Sequence, residues 1–308
     1  MSDTALKPAP KNEVASAPLV PQGTGLGLVS ISVSDRQAAL AIWRDTVGLE
    51  LLSETPTTLH LGAGGRELIT LTLDAKRPAM RGTAGLYHVA IHVPSRPDLA
   101  AFLARAISKR VEVSPTDHLV SEAIYLWDRD GNGIEITFET PWRGRLEISE
   151  LGYAVTTDGQ PHSGREPIDV DELMGELFKA KNRETMPAGT RIGHVHLHVG
   201  DIGLAMNFWR DVVGFGGQML SNRFGMGDVT VGYQPHILAF NIWNGRNVAQ
   251  PPEGIAGLNH FTILMPDKAS ADEMARRLKA ASAPVGPVKG GYASADPWGN
   301  RFLVLAAQ

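Results

Sequence analysis

VSDRQAALAIWRDTVGL at residues 33–49 and VGDIGLAMNFWRDVVGF at residues 199–215 are one segment written twice. Both run Val-x-Asp, then seven residues, then Trp-Arg-Asp-x-Val-Gly, with the spacing unchanged. Self-similarity of this kind marks repeated supersecondary units and is the first thing to settle in a chain. A second pair matches separately: Gly85-Leu86-Tyr87-His88-Val89-Ala90-Ile91 and Gly257-Leu258-Asn259-His260-Phe261-Thr262-Ile263. Each of these leads to an Asp-x-x-Gly-Asn segment, Asp128 to Asn132 and Asp296 to Asn300, and then to an apolar run. The chain therefore reads A, B, connector, A′, B′.

Each unit opens on an alternating segment such as His194-Val195-His196-Leu197-His198-Val199, whose period of two is that of a strand. A helix is expected next, for instance Ile202 to Val213, stopping at a glycine suited to a C-cap. Short β-rich runs complete the units: Glu67 to Leu73, Ser121 to Trp127, Ile134 to Phe138, Ile237 to Ile242 and Phe302 to Leu305. The Asp-x-x-Gly-Asn pieces are turn chemistry between the last two strands. The expected fold is α+β, four βαβββ modules forming two half-open barrel cups. Residues 1–24, rich in Pro and Ala, read as a flexible arm outside the fold. Residues 25–140 (A and B) and 191–308 (A′ and B′) read as two domains. The polar stretch 141–190 joins them, with one helix near Asp169 to Lys181, packed across the surface.

Composition narrows the function. A net charge of −4 argues against nucleic acid, which selects basic faces. Cysteine is absent, so disulfides and thiolate metal sites are excluded, and the ten histidines must carry any nitrogen ligation. No apolar run is long enough to span a membrane, and the N-terminus lacks the apolar core of a secretory signal, so a cytoplasmic protein is expected.

The pattern Gly-His-x-x-x-x-Val-x-Asp at 193–201, followed by Trp-x-x-x-x-Gly-Phe at 209–215, resembles the vicinal oxygen chelate superfamily of glyoxalases, bleomycin-resistance proteins and extradiol dioxygenases. The resemblance covers nearly everything beyond the N-terminal arm, and its two-domain form resembles the extradiol dioxygenases that cleave catechols. It implies that the first strand of each of two paired modules supplies a metal-binding His. The last strand of one module then supplies a Glu, four residues past the turn glycine. First-strand positions hold Leu28, His88, His194 and His260; the last-strand position holds Glu135 in B and Leu303 in B′. Pairing A with B yields only His88 and Glu135, and pairing A′ with B′ yields only His194 and His260. Pairing B with A′ yields His88, Glu135 and His194, a facial triad of the kind that holds Fe(II), or Mn(II), with open positions. His260 then reads as a structural relic, and the outer modules as an inactive cup.

The same resemblance implies further roles. Asp117-His118-Leu119-Val120-Ser121-Glu122-Ala123-Ile124-Tyr125 resembles the Asp-His-x-Val-Ser-x-x-x-Tyr segment of extradiol dioxygenases, with Tyr125 ten residues before Glu135. It implies that Tyr125 and His118 hydrogen-bond the substrate oxygens and shuttle a proton. Gly232-Tyr233-Gln234-Pro235-His236-Ile237-Leu238 is similar to the family's His-rich strand, departing from it at Gln234-Pro235. It implies that His236 steadies charge developing on dioxygen. Asp117, Asn241, Trp243 and His198 are expected to border the substrate. His196, on the face of His194, is expected in the cup wall or behind the ligands, with His92 as its counterpart in B. His60 and His162 have no repeat logic and are expected on the surface or in loops.

The expected partners are a small catechol and O2, with no nucleic acid and no membrane, and with a homo-oligomer left open. The expected activity is a dioxygenase giving a 2-hydroxymuconic semialdehyde-type product. A glyoxalase-like isomerase or hydrolase of the same fold is the alternative, disfavoured because A′ offers His236 and Ala239 but no acid around that strand. A drug-sequestering binding protein, needing no metal, is a third.

Overall fold

The structure is a computed structural model that describes residues 14–147, 153–232 and 236–307. Module A comprises β1 (Gly25–Ser32), α1 (Arg36–Trp43), β2 (Glu50–Glu54), β3 (Thr58–Ala63) and β4 (Arg66–Thr72). Module B follows with β5 (Gly85–His92), α2 (Arg96–Ser108), β6 (Ser114–Asp117), β7 (Ser121–Trp127) and β8 (Gly133–Glu139). The connector contributes β9 (Gly144–Leu146), β10 (Ala154–Thr156), β11 (Pro161–His162) and α3 (Val170–Gly175). Module A′ holds β12 (Arg191–His198), α4 (Ile202–Met206), β13 (Gly216–Ser221), β14 (Met226–Thr230) and β15 (Leu238–Asn241). Module B′ closes with β16 (Gly257–Met265), α5 (Lys268–Ala280), β17 (Gly286–Val288), β18 (Gly291–Ala295) and β19 (Arg301–Ala306).

The letters that repeat are those the local structure needs. Asp35 and Asp201 cap α1 and α4, each side chain accepting from the backbone N–H three residues on, at 2.7 and 2.9 Å. Trp43 and Trp209 are fully buried in the core. Gly48 and Gly214 take φ of +91° and +96°, where a side chain is strained. The helix expected over 202–213 ends in a π-helical stretch, Asn207–Val213, closed by Gly214.

Two eight-stranded sheets result, ordered β13-β14-β15-β12-β5-β8-β7-β6 and β17-β18-β19-β16-β1-β4-β3-β2. Strands β5 and β12 pair antiparallel at the centre of the first, and β1 and β16 at the centre of the second. Thus B shares a sheet with A′, and A with B′. The crossed arrangement that ligand bookkeeping required is the one the backbone adopts, so neither contiguous half forms a cup by itself.

The connector departs from expectation. Its expected helix is short, α3 followed by a 3₁₀ turn at Glu176–Lys179, and β9, β10 and β11 form a three-stranded sheet. Backbone bonds from Asp117 N–H to Glu166 O (2.7 Å) and from Glu166 N–H to Asp117 O (3.0 Å) pin it to the edge of the first sheet. Residues 14–24 are docked rather than outside the fold: Ser16, Leu19 and Val20 donate backbone bonds to Gly217 and Gly214, and Val20 is buried. The rest of the arm, 1–13, lies outside the described residues, as do Tyr233, Gln234 and Pro235.

Candidate metal centre

Alternation along β5 and β12 sends His88, His92, His194 and His196 to the concave face, while Val89, Ile91, Val195 and Leu197 fill the core behind. Glu135 stands on β8 beside Ala90 of β5. Three donor atoms converge: His88 Nε2 to Glu135 Oε2 is 2.8 Å, His194 Nε2 to Glu135 Oε2 is 3.0 Å, and the two Nε2 atoms are 3.2 Å apart. For bonds of about 2.1 Å at right angles, ligand atoms should lie about 3.0 Å apart, so this triangle fits one face of an octahedral divalent ion. Among the described residues these three alone form such a His/Asp/Glu cluster, and all are buried.

The ligands are held from behind. Thr137 Oγ1 donates to Glu135 Oε1 at 2.8 Å, leaving Oε2 for the centre of the cup. His194 Nδ1 meets His92 Nε2 at 3.2 Å, and His92 Nδ1 approaches Glu139 Oε1 to 3.4 Å. Glu139 is in turn gripped by Arg191 at 2.6 Å. His92, expected in the wall, is thus part of the support that orients a ligand. Burial pushes His194 down to about 4, so its imidazole is neutral and its lone pair free for a metal. Burial opposes ionisation of Glu135, but His194 and His88 outweigh it and hold the carboxyl well below its usual range.

Tyr125 of β7 lies opposite Glu135. His118 Nδ1 donates to the Gly164 carbonyl at 2.6 Å, so in the neutral ring Nε2 is the acceptor and receives the Tyr125 hydroxyl at 2.8 Å. Burial lowers the His118 pKa and raises that of Tyr125, which keeps both neutral. His236 packs edge-on against His194, ring centres 4.3 Å apart. Burial pushes its imidazole well below the usual range.

These groups line a cavity of about 340 Å³, together with Tyr87, His196, Met226, Trp243 and, from the connector, Leu146, Tyr153, Ser163, Gly164 and Arg165. Of the residues expected to border substrate, Trp243 lines this cavity. Asp117 instead bridges to Arg143 at 2.6 Å, and the Leu119 amide donates to it at 2.7 Å. Asn241 is fully buried behind the wall: its amide donates to His196 Nε2 at 2.8 Å and its oxygen accepts from His198 Nδ1 at 2.8 Å. His198 faces a second cleft rather than the cup. His162, expected on the surface or in a loop, is a half-buried member of β11, its Nδ1 accepting from the Gly164 amide at 2.9 Å.

Sequence reasoning missed Asp228. It occupies on β14, opposite Ala239, the position that Tyr125 occupies opposite Glu135. It is fully buried, among the described residues neither carboxylate oxygen has a hydrogen-bond partner, and Oδ2 lies 3.6 Å from His236 Nδ1. An acid does therefore stand in the A′ wall, one strand away from where it was sought. The same position in module A is His60, half-buried on β3 and bonded to Glu67 at 2.7 Å. His60 does obey the repeat, in the cup where Leu28, Thr70 and Leu303 leave His260 without partners for a triad.

Residues 25–136 and 191–304 match the model of the Glyoxalase/Bleomycin resistance protein/Dioxygenase superfamily. The chain belongs to this superfamily. Catechol-2,3-dioxygenase of Bacillus subtilis (strain 168) is 31% identical to it over 291 residues, spanning 92% of this chain and 98% of that protein. Among solved structures, glyoxalase I from Zea mays superposes with a TM-score of 0.55 at 16% identity, covering 92% of each chain. A provisionally named dioxygenase from Bacillus subtilis superposes with a TM-score of 0.60 at 14% identity, covering 95% of this chain and 86% of that one. At such identities the structural matches speak to the fold. The buried triad and the catechol-2,3-dioxygenase kinship together make this superfamily member a metal-dependent enzyme. Among the described residues no helix is long and apolar enough to cross a membrane.

Proposed function

We propose that this protein is an Fe(II)-dependent extradiol dioxygenase that opens a catechol ring beside its two hydroxyls, giving a 2-hydroxymuconic semialdehyde-type product. The observation that carries the reading is the open triad of His88, Glu135 and His194 facing the Tyr125–His118 pair across one cavity. The donor set, two imidazoles and a carboxylate, suits Fe(II), with Mn(II) as the other candidate. Iron held there supplies the redox chemistry by which dioxygen attacks an aromatic diol.

The chain's own part is positioning and proton transfer. Tyr125 accepts a proton from a substrate hydroxyl while passing its own to His118 Nε2, and the fixed His118 tautomer sets that direction. His236, neutral and beside His194, donates a hydrogen bond to the oxygen that becomes anionic. Tyr87, Trp243 and Met226 give the diol an apolar wall and keep water away.

The test is to load the protein with Fe(II) without air, add catechols, and follow dioxygen uptake together with the yellow product. One dioxygen consumed per ring opened is the expected result. Iron bound with no uptake across the panel would contradict the reading and favour the isomerase alternative, for which Asp228 beside His236 provides an acid–base pair.

A further inference from the structure

Arg165 lines the cup as an exposed cation, and among the described residues no carboxylate pairs with it. It follows Gly164, whose carbonyl fixes His118, and it lines the same cavity as the triad. Its backbone N–H is bonded to Ser163 Oγ, but among the described residues its guanidinium makes no hydrogen bond and no ion pair. Nearby arginines are satisfied otherwise: Arg143 by Asp117, Arg96 by Glu122 and Arg191 by Glu139. Even the adjacent Glu166 is turned to Ser163.

The guanidinium is nevertheless placed. Its carbon stands 5.4 Å from the centre of the Trp243 ring. Trp243 meets Tyr87 edge-on at 5.1 Å, and Tyr87 lies 4.9 Å from the ligand His88. A ladder of rings thus leads from the metal ligands out to one cation. Stacking on an indole keeps a guanidinium flat and leaves its N–H edge for a carboxylate, which it can grip with two parallel bonds.

Charge balance points the same way. A divalent ion, the Glu135 carboxylate and the Arg165 guanidinium leave the cup with two net positive charges. Asp228 does not offset them, because burial pushes its carboxyl well above the usual range, towards the neutral form. A catechol bound as a monoanion cancels one of the two. A second anionic group on the substrate cancels the other.

We infer that Arg165 forms an anion subsite in the metal cup, and that the catechols this protein selects carry a carboxylate on the ring or on a short side chain. The inference rests on the ring-cleavage reading and adds the substrate class.

The probes are 3,4-dihydroxyphenylacetate, 3,4-dihydroxybenzoate and the neutral 4-methylcatechol. They are tested on iron-loaded wild type, Arg165→Met and Arg165→Lys, by calorimetric binding under argon and by dioxygen uptake. Wild type should favour at least one acid over 4-methylcatechol about tenfold or more. Arg165→Met should shrink the acid-to-neutral ratio, in Kd and in kcat/KM, about 10- to 100-fold, the usual worth of a charged hydrogen-bonded pair. Arg165→Lys should restore part of it. Wild type favouring the neutral diol, or a ratio unmoved in Arg165→Met, overturns the subsite even while rings are being opened. Acids that bind in an Arg165-dependent way without dioxygen uptake support the subsite and sink the ring-cleavage reading instead.

Discussion

At the scale of single residues, the cup is a cluster of groups that folding keeps from their preferred protonation. His194 is held at about 4, and His196 and His236 well below the imidazole range, with burial the leading cause in each. An unfolded chain takes protons at these positions near pH 6.5, whereas folded His194 waits until about pH 4. Between those values the unfolded state binds more protons, so stability falls as pH falls. His194 alone accounts for on the order of 3 kcal/mol across that window. Thermal melts of metal-free protein should lose stability from pH 7 to 4, and a flat profile would contradict the buried neutral imidazoles. Asp228 has the opposite sign. Its folded carboxyl keeps a proton that the unfolded one loses above about 3.8, so stability declines as pH rises from there. Asp228→Asn should therefore raise Tm at neutral pH, with the gain vanishing near pH 3.5. Tyr125→Phe breaks the hydroxyl's bond to His118 and should lower kcat for ring opening about 10- to 100-fold, read by dioxygen uptake. The triad was legible in the letters because His88 and His194 hold repeat-equivalent first-strand positions and the family resemblance marks the last-strand position where Glu135 stands. Asp228, Tyr153 and Arg165 carry no motif: only the sheet register puts Asp228 behind His236, and only the connector's path brings Tyr153 and Arg165 to the cavity. Asn241 and His198 were misplaced because alternation gives a face of a strand but not the depth at which a side chain stops.

At the scale of elements, two arginines tie each contiguous half together where the sheets do not. Arg105 of α2 donates from Nε to Thr46 O (3.1 Å), from Nη2 to Val47 O (2.6 Å) and from Nη1 to Arg183 O (2.8 Å). It thereby closes the chain end of the α1 turn and fastens the connector. Arg277 of α5 repeats the device on Val212 O (3.3 Å) and Val213 O (2.7 Å). Helix C-termini expose carbonyls that a cation satisfies well. Arg105 is 7% exposed, so Arg105→Met strands buried carbonyls and should cost about 2–4 kcal/mol in chemical denaturation. Arg277→Met, with fewer bonds and more solvent, should cost less, and the reverse order would contradict the capping account. The Asp-x-x-Gly-Asn turns also do more than reverse the chain. Asp128 accepts from the amides of Asp130 and Asn132 and from the Trp43 indole at 3.2 Å, so a turn of B holds the helix of A. The turns could be read from sequence, but the partner across modules could not.

At the scale of the whole molecule, four copies of one module yield one reactive cup because the copies have diverged at two strand positions. The last-strand position holds Thr70, Glu135, Ala239 and Leu303 in chain order, and its cross-strand neighbour holds His60, Tyr125, Asp228 and Ala293. Only the sheet joining B to A′ brings a Glu together with two first-strand histidines. Ligand bookkeeping could find that pairing in advance because an incomplete triad has no function to offer. The connector's three strands were not foreseen, since their short polar runs bear no period, yet they bring Tyr153, Gly164 and Arg165 to the cavity.

The central claim is that a single metal sits between B and A′, and metal stoichiometry tests it most directly. Anaerobic loading with Fe(II), desalting and metal analysis should give one ion per chain in wild type. The account predicts that His260→Ala keeps that ion and Glu135→Ala loses it, with both variants still folded by circular dichroism. Two ions per chain in wild type, loss of the ion in His260→Ala, or full retention in Glu135→Ala would contradict it.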